Sequence, residues 1–346
     1  MGGPRPAGSS VAACRLIPPG WTGVRLSRFR RARLAVVRPV LDLRTAKVAV
    51  ELTSRCNLRC AMCPMNDLGR PMVNMEWELV EKVAAEFAGL GIRVKWLHEM
   101  GEPLLFPRLD EAVELFPGCS VSTNAMLLDE DWSRRLLATS LGRIRLCVDT
   151  TRPEVYPVIR TGGDFDRVVA NVRRFLELSN GHSIRVEIQK MVTLQTSDET
   201  VEEFERFFGL DRHPQARVVE KTCEGLDTSE ATGLHESFYG CFQGYPFRWF
   251  IVLADGRVTH CCYDAHGQQT IGDLRTQTVR EILESPVLEG HMEAFRARDW
   301  ERLPRCGECF RNPTAKAVVV DRLLRVGHRL DRVLPLKKVG RKVFNR

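Results

Sequence analysis

The sequence has no run of about 18 consecutive apolar residues, so it predicts no transmembrane helix. Its first ten residues, MGGPRPAGSS, lack the continuous apolar core of a secretory signal peptide. The arginine-rich stretches come without aromatic stacking residues, which argues against nucleic-acid binding. Twelve cysteines without an export signal indicate a reducing compartment, and metal sites rather than disulfides. We therefore expect a cytoplasmic protein.

Positive charge is concentrated at the two ends of the chain. Residues 1–47 carry ten Lys/Arg and one acid, and residues 311–346 carry eleven Lys/Arg and two acids. Because the whole chain has a net charge of +7, the body between the ends is acidic. The ends could contact an anionic membrane, carrier or substrate, or they could be solvated tails and capping helices. The C-terminal segment predicts a basic amphipathic helix, which leaves peripheral membrane contact open.

Three cysteines follow the first predicted strand on one short loop. The strand begins at Val48, and Cys56, Cys60 and Cys63 come after it with three and two intervening residues. Three thiolates ligate three irons of a cubane [4Fe–4S] cluster and leave the fourth iron open to a substrate or cofactor. Zinc sites usually use paired C-x2–4-C knuckles, and three crowded cysteines suit disulfides poorly. The spacing favours an iron–sulfur site.

The stretch CNLRCAMCP from Cys56 resembles the signature of the radical S-adenosylmethionine (SAM) superfamily. Met62 stands where that family usually has an aromatic residue. The resemblance implies that the open iron chelates the amine and carboxylate of SAM. It also implies reductive cleavage of SAM to a 5′-deoxyadenosyl radical, which takes a hydrogen atom from the substrate. The cofactor supplies this chemistry, and the protein positions and insulates it.

Further family motifs are expected at the ends of later strands. The Gly-Glu-Pro segment from Gly101 resembles the motif that holds the SAM ammonium, and Ala125 stands where another motif has glycine. The resemblance implies a set of cofactor contacts: Met62, Gly101, Glu102, Thr123, Asn124, Asp149 and Arg160. His98 and Glu99 should lie near the same end of the barrel as these motifs. Because no paired partner can be identified for His98, we interpret it as structural.

Predicted strands and helices alternate from residue 46 to residue 225. Five or six such repeats indicate βαβ units and a parallel sheet, too few for a closed eight-stranded barrel. The superfamily's open (β/α)6 partial barrel, an α/β fold, fits this number. Strands are predicted to start near residues 48, 94, 119, 144, 183 and 217, and helices to span 76–90, 109–116, 132–141, 165–178 and 199–208.

A second set of cysteines lies in the C-terminal third. Asp255 and Gly256 between two apolar runs predict a β-hairpin, and a helix should follow from Val279. The proposed ligands of one fully ligated cluster are Cys241, Cys261, Cys306 and Cys309. The arrangement resembles the twitch domain, the short form of the SPASM domain. Zinc would also suit four cysteines. The expected domains are a basic N-terminal extension (1–45), the partial barrel (46–225), the twitch/SPASM-type domain (226–312) and a basic tail (313–346).

Aminoglycoside dehydrogenases are the family type that this architecture resembles most. We therefore expect dehydrogenation of a sugar or cyclitol natural product, with two [4Fe–4S] clusters, SAM, and a one-electron donor such as flavodoxin or ferredoxin. Cys262 offers an alternative, because its thiol could return a hydrogen atom to a substrate radical and so epimerise the substrate; it could also simply pack beside the hairpin. Peptide modification and a non-catalytic zinc protein are further alternatives. The sequence identifies neither the substrate nor the oligomeric state.

Overall fold

The computed structural model describes residues 41–193, 195–222, 247–297 and 299–309, without the side chains of Thr222, Glu308 and Cys309. The predicted basic extension up to residue 40 and the predicted tail helix lie outside these ranges. Among the described residues, no helix has the length and apolar character needed to cross a membrane.

Parallel strands form the N-terminal part of the sheet. They are β1 (Lys47–Val50), β2 (Ser120–Thr123), β3 (Arg143–Asp149), β4 (Arg185–Val192) and β5 (Ala216–Thr222). Strands β2 to β5 pair in that order, each parallel to the next. Trp96 connects β1 to β2 because it forms parallel bridges with Ala49 and Ser120. The strand predicted over 94–97 is thus reduced to one bridged residue, while the predicted parallel partial barrel is confirmed.

Six helices connect these strands. They are α1 (Trp77–Gly89), α2 (Leu109–Leu115), α3 (Glu130–Leu137), α4 (Tyr156–Ile159), α5 (Phe165–Leu178) and α6 (Val201–Phe208). The short α4 was not predicted. Helix α3 begins two residues before its predicted start because the Asp129 carboxylate accepts a hydrogen bond from Trp132 N (2.9 Å) and caps the helix. Thr200 and Glu203 form a capping box that fixes the start of α6.

The C-terminal part adds three strands to the same sheet. They are β6 (Trp249–Val252), β7 (Arg257–Thr259) and β8 (Thr270–Asp273), followed by α7 (Val279–Leu283), α8 (Pro286–Ala297) and α9 (Pro304–Cys309). Strands β6 and β7 form the predicted hairpin, and β8 was not predicted. Strand β6 pairs parallel with β1, with Val48 opposite Phe250. The barrel and the C-terminal part therefore share one sheet.

The two faces of the sheet have different neighbours. Val48 and Val50 belong to the main hydrophobic core, which includes the helices, whereas Ala49 between them belongs to a second, small cluster. Because side chains alternate along a strand, this cluster lies on the opposite face, which we call the lumen. The lumen cluster consists of Ala49, Ile251 and Leu253, with Trp96, Trp249 and Cys262 packed against it.

Candidate active site

Cys56, Cys60 and Cys63 lie together on the loop that follows β1. Cys63 N donates a hydrogen bond to the Cys60 carbonyl oxygen (3.0 Å), which closes a tight turn between them. The other side of the loop is held by a hydrogen bond from Arg59 N to the Thr161 carbonyl oxygen (2.9 Å). Cys60 is buried, and Cys56 and Cys63 are half-buried. The structure thus brings the three predicted ligands of the first cluster onto one short, anchored loop.

The chemistry of these thiols fits a metal cluster. Burial raises the pKa of the Cys56 thiol to about 11 and also raises that of Cys63, and the neighbouring thiols add to both shifts. A metal centre reverses this preference because it binds the thiolate. Among the described residues, no group of three His, Cys, Asp or Glu side chains is close enough together to bind a single metal ion. In a cubane cluster, each thiolate binds a different iron.

Gly101 fixes the start of the cysteine loop. Its φ angle is +76°, and a Cβ atom there would lie 2.3 Å from the Thr53 carbonyl oxygen and 2.9 Å from that of Arg55. Both the backbone conformation and the close approach require glycine. The next residue, Glu102, donates its backbone N–H to the Arg55 carbonyl oxygen (2.8 Å). This segment therefore holds the backbone one residue before Cys56.

The Glu102 carboxylate connects two expected cofactor motifs. It is buried, and it accepts hydrogen bonds from Thr123 Oγ1 (2.6 Å), Asn124 N (2.7 Å) and Leu104 N (3.1 Å). Burial raises the pKa of Glu102, although these three hydrogen bonds oppose the shift. Asn124 Nδ2 in turn donates to Asn57 Oδ1 (2.9 Å) on the cysteine loop. The expected contact of Glu102 with the SAM ammonium stays a prediction, and the structure adds that Glu102 positions the end of β2.

Asp149 and Arg160 form an ion pair beside the cysteine loop. Arg160 Nε donates to Asp149 Oδ2 (2.6 Å), and Gln189 Nε2 donates to the other carboxylate oxygen (2.9 Å). Asp149 is buried and has a φ angle of +72° at a bulge in β3. The Arg160 guanidinium also lies 3.6 Å from Cys60 Sγ. Hydrogen bonds to sulfur tune iron–sulfur clusters, so this arginine is placed to act on a cluster held by Cys60, while its contact with SAM stays a prediction. Met62, the remaining predicted contact, is half-buried between Cys60 and Cys63.

The second cysteine set is described only in part. Cys261 follows β7 and Cys306 lies in α9, and both are half-buried. Gln269 binds the α9 turn, because its Oε1 accepts hydrogen bonds from Arg305 N (2.7 Å) and Cys306 N (3.2 Å) while its Nε2 contacts Cys306 Sγ (3.5 Å). Cys241 and the side chain of Cys309 lie outside the described residues. The four-cysteine ligand set therefore stays a prediction.

Cys262 lies on the lumen side of the sheet. It is half-buried and packs against the cluster of Ala49, Ile251 and Leu253. The structure thus places this thiol, one residue after Cys261, at the wall where a substrate of the barrel would lie. Its role as a hydrogen-atom donor stays a prediction.

Two functional features escaped the sequence analysis. Glu51, directly after β1, forms a fully buried ion pair with Arg70, and it also accepts the backbone N–H of Met100 (3.0 Å) and of Ala254 (2.9 Å). The only local signal was a carboxylate next to an apolar strand. The lumen also carries Arg143 and Arg145 on β3, which form ion pairs with Glu187 on β4. No local sequence pattern predicts these ion pairs.

Comparisons with known proteins agree with this geometry. The family model of the radical SAM superfamily matches residues 50–208, and that of an iron–sulfur cluster-binding domain, SPASM, matches residues 241–310. The GTP 3′,8-cyclase of Chlorobaculum tepidum is 30% identical over 283 residues, which are 71% of this chain and 82% of that protein. A probable GTP 3′,8-cyclase of Archaeoglobus fulgidus is 31% identical over 173 residues, 49% of this chain. The chain matches only about half the length of that relative and of the archaeal relatives like it.

A solved structure shows the same fold. Native anSMEcpe with bound AdoMet has a TM-score of 0.56 and 18% identity to this chain, and the match covers 83% of this chain and 98% of that one. The predicted fold class is confirmed. The predicted cofactors, [4Fe–4S] clusters and SAM, are confirmed by the two family matches.

Proposed function

This chain belongs to the radical SAM superfamily, and from that premise we propose that it is an oxidoreductase that dehydrogenates a sugar or cyclitol. Enzymes of this kind act on small molecules or peptides. The substrate would lie in the lumen, at the carboxyl ends of the strands. When bound, the first cluster and SAM supply the 5′-deoxyadenosyl radical that removes a hydrogen atom from a substrate C–H bond.

One observation supports this proposal above the others. Strand β6 pairs with β1, and Glu51 at the end of β1 binds the backbone of Ala254 just after β6. The hairpin that carries Cys261 and Cys262 is therefore attached to the same strand end as the first cysteine loop. Cys262 packs on the lumen wall. This arrangement favours a second redox centre close enough to the substrate to exchange an electron with it.

The chain's own residues have distinct proposed roles. Cys56, Cys60 and Cys63 hold the first cluster, Gly101 lets the neighbouring backbone approach it, and the Asp149–Arg160 pair orients the cofactor. After loss of one hydrogen atom, oxidation of an alcohol to a ketone still requires loss of one electron and of the hydroxyl proton. We assign the electron-accepting site to the C-terminal cysteines Cys241, Cys261, Cys306 and Cys309. A fully ligated cluster there would have no open iron and so would serve electron transfer.

The first test is metal content after anaerobic reconstitution. We expect about eight irons per chain in the wild type and about four in a Cys56/Cys60/Cys63→Ala variant. Cys119→Ala is a matched control, because Cys119 is a buried thiol in the main core. About four irons together with bound zinc in the wild type would remove the proposed electron acceptor.

The second test is turnover. Reduced, SAM-loaded enzyme would be incubated with a panel of sugars and cyclitols, and with GTP because the relatives are named for it. Dehydrogenation predicts one ketone formed for each 5′-deoxyadenosine. It also predicts that Cys306→Ala abolishes the ketone while SAM cleavage continues. A product with the oxidation state of the substrate would contradict the proposal.

Epimerisation is the second candidate, and the lumen position of Cys262 favours it. In that reaction the Cys262 S–H bond breaks and a new substrate C–H bond forms. The thiyl radical left behind then needs one electron and one proton to restore the thiol. Turnover in D2O would place deuterium on the product, and Cys262→Ala would abolish product. Dehydrogenation instead predicts no solvent deuterium and an active Cys262→Ala variant.

We further propose that the enzyme works in the cytoplasm with flavodoxin or ferredoxin as its one-electron donor. The first centre would need external reduction before SAM cleavage, whereas the second centre must start oxidised to accept the substrate's electron and would pass it on to the same donor system after turnover. Reduction of the reconstituted protein by each donor, followed by EPR, tests this directly. Failure of both donors at concentrations that reduce other enzymes of this kind would contradict it.

A further inference from the structure

A row of polar side chains crosses the lumen face of the sheet. Arg145 on β3 lies opposite Ser122 on β2 and Glu187 on β4, and Glu187 lies opposite Arg217 on β5. The neighbours along these strands belong to the main core on the other face: Ile144, Leu146, Val186 and Ile188. Alternation along the strands therefore directs the row into the lumen. His98 extends it, because His98 Nδ1 accepts a hydrogen bond from Ser122 N (3.2 Å).

This row has a surplus of positive charge. Glu187 is buried, and its carboxylate oxygens lie within 3.4 Å of three guanidinium groups, those of Arg143, Arg145 and Arg217. Burial raises the pKa of Glu187, but the hydrogen bonds from Arg217 and Arg145 lower it to about 2. Glu187 is therefore fully ionised and balances one of the three positive charges. Two positive charges remain on this wall of the lumen.

Lys221 adds a further cation to the same wall. It lies on β5 four residues after Arg217, so it faces the same side of the sheet. In the described ranges, no carboxylate lies within ion-pair distance of Lys221. The charge of Lys221 lowers the pKa of Glu99, but burial and the charge of Glu51 outweigh it and raise that pKa well above its ordinary value.

His98 contributes a hydrogen-bond donor rather than a charge. Burial, together with the nearby positive charges of Arg145, Lys221 and Arg143, lowers its pKa to about 3. Because its Nδ1 is an acceptor, the neutral ring carries its proton on Nε2. The ring is fixed edge-on against Trp96 at 4.9 Å, and Arg143 and Arg145 stack on that indole at 4.3 and 4.9 Å. The wall is thus held rigidly by stacking and ion pairs.

We propose that His98, Arg145 and Lys221 form a binding site for an anionic group of the substrate, either a phosphate or a carboxylate. Guanidinium and ammonium groups bind both anions by charge-assisted hydrogen bonds, and the neutral imidazole adds a donor without repelling the neighbouring Arg145 and Lys221. The site rests on the proposed function in one respect, namely that the lumen holds the substrate. It narrows the substrate class to sugars or cyclitols that carry an anionic group. It also gives His98 a binding role instead of the structural role expected from the sequence.

Direct anion binding tests this site. Anaerobically reconstituted, SAM-loaded enzyme would be titrated by calorimetry with inorganic pyrophosphate and, separately, with malonate. Lys221→Gln removes one exposed charge without breaking an ion pair, and Arg145→Gln removes the buried charge. Arg167→Gln is the matched control, because Arg167 is exposed on α5, away from the lumen. Circular dichroism and iron content would verify that each variant is folded and loaded.

We expect the wild type to bind at least one of the two anions, and the preferred anion to identify a phosphate or a carboxylate site. Lys221→Gln and Arg145→Gln should each weaken binding about tenfold or more, while Arg167→Gln leaves it unchanged. Absence of binding to the wild type, or equal affinities in Lys221→Gln and Arg167→Gln, would overturn the proposal.

The same preparations distinguish a failure of the proposed anion site from a failure of the proposed function. SAM cleavage without substrate needs the first cluster but not the anion site. SAM cleavage without anion binding would reject only the site, whereas anion binding without SAM cleavage would reject only the proposed function.

Discussion

Arg70 and Glu51 form a bidentate ion pair with no solvent exposure, between the segment that follows the first cysteine loop and the end of β1. The two hydrogen bonds measure 2.6 and 2.7 Å. Arg70 Nε also donates to the Ala265 carbonyl oxygen (2.6 Å), and Glu51 accepts from Ala254 N (2.9 Å). The pair therefore connects the barrel to the C-terminal hairpin on both of its sides. It is a fully buried polar contact between the two cysteine-bearing regions.

Breaking this ion pair on one side should be strongly destabilising. Arg70→Met leaves the Glu51 carboxylate buried without a counter-charge, which should lower the free energy of unfolding by about 3–5 kcal/mol. Chemical denaturation followed by circular dichroism measures this loss. The exposed pair of Arg134 and Glu130 on α3 is a matched control, and Arg134→Met should change stability little. If Glu51→Met with Arg70→Met were as unstable as Arg70→Met alone, the unpaired charge would not be the cause.

Gly101 should tolerate no side chain. Gly101→Ala adds a Cβ atom 2.3 Å from a backbone oxygen, at a position with φ of +76°. The backbone before Cys56 must then shift, so we expect loss of first-cluster iron and of SAM cleavage. Gly91→Ala is the control, because Gly91 also has a positive φ (+65°) but has no atom within 4 Å of the added Cβ. Gly91→Ala should lower the free energy of unfolding by only about 1–2 kcal/mol, and this variant should keep its iron. Full iron content in Gly101→Ala would contradict the close approach.

Ala125 adopts a left-handed conformation with φ of +61°, the conformation that glycine would supply at this family position. Ala125→Gly relieves about 1–2 kcal/mol of strain and loses one buried methyl group, worth about 0.8 kcal/mol, together with some unfolded-state entropy. We therefore expect a nearly neutral change in unfolding free energy. Ala112→Gly, at a buried helical alanine in α2, should be clearly destabilising by about 1 kcal/mol or more. Equal losses of unfolding free energy in the two variants would show that Ala125 is unstrained.

His98 should make stability depend on pH below neutrality. Its folded pKa of about 3 lies below the ordinary value of 6.5, so the unfolded chain takes up a proton that the folded chain refuses. The contribution of His98 to the free energy of unfolding is complete above pH 6.5 and is lost as the pH falls from there toward 3. The loss between pH 7 and pH 5 is about 2 kcal/mol. His98→Gln should reduce the slope of this part of the stability profile, to which His260 contributes as well because burial also lowers its pKa to about 3. An unchanged slope, or an imidazolium NMR signal for His98 at pH 5.5, would contradict the assignment.

Local patterns in the sequence were sufficient for much of the architecture. The alternation of apolar strands and amphipathic helices gave the parallel barrel, because each strand buries two faces and each helix buries one. The helix predicted over 165–178 was found at Phe165–Leu178, where Asp164 caps its start. Asp255 and Gly256 predicted the β6–β7 hairpin from turn chemistry alone. Cys56, Cys60 and Cys63 could be grouped because they are close neighbours in sequence.

Other features depend on contacts between distant segments. Trp96 is a single bridge rather than a strand, and β6 pairs with β1 about two hundred residues earlier, because sheet register is set by global packing. Glu51 and Arg70 look like ordinary charged residues in sequence, and only their common burial shows that they depend on each other. The same holds for Arg145 and Glu187 on neighbouring strands.

The sequence by itself determined the chemistry of this protein: a cysteine spacing that suits an open cluster, an α/β barrel and a second cysteine set. Those properties follow from residue type and short-range spacing, which a chain carries whether or not it is folded. The tertiary structure decided what surrounds that chemistry. It attached the second cysteine region to β1, placed Cys262 on the lumen wall, and collected His98, Arg145 and Lys221 from three different strand segments. Such sites depend on strand order and register, which are properties of the whole sheet rather than of any one segment.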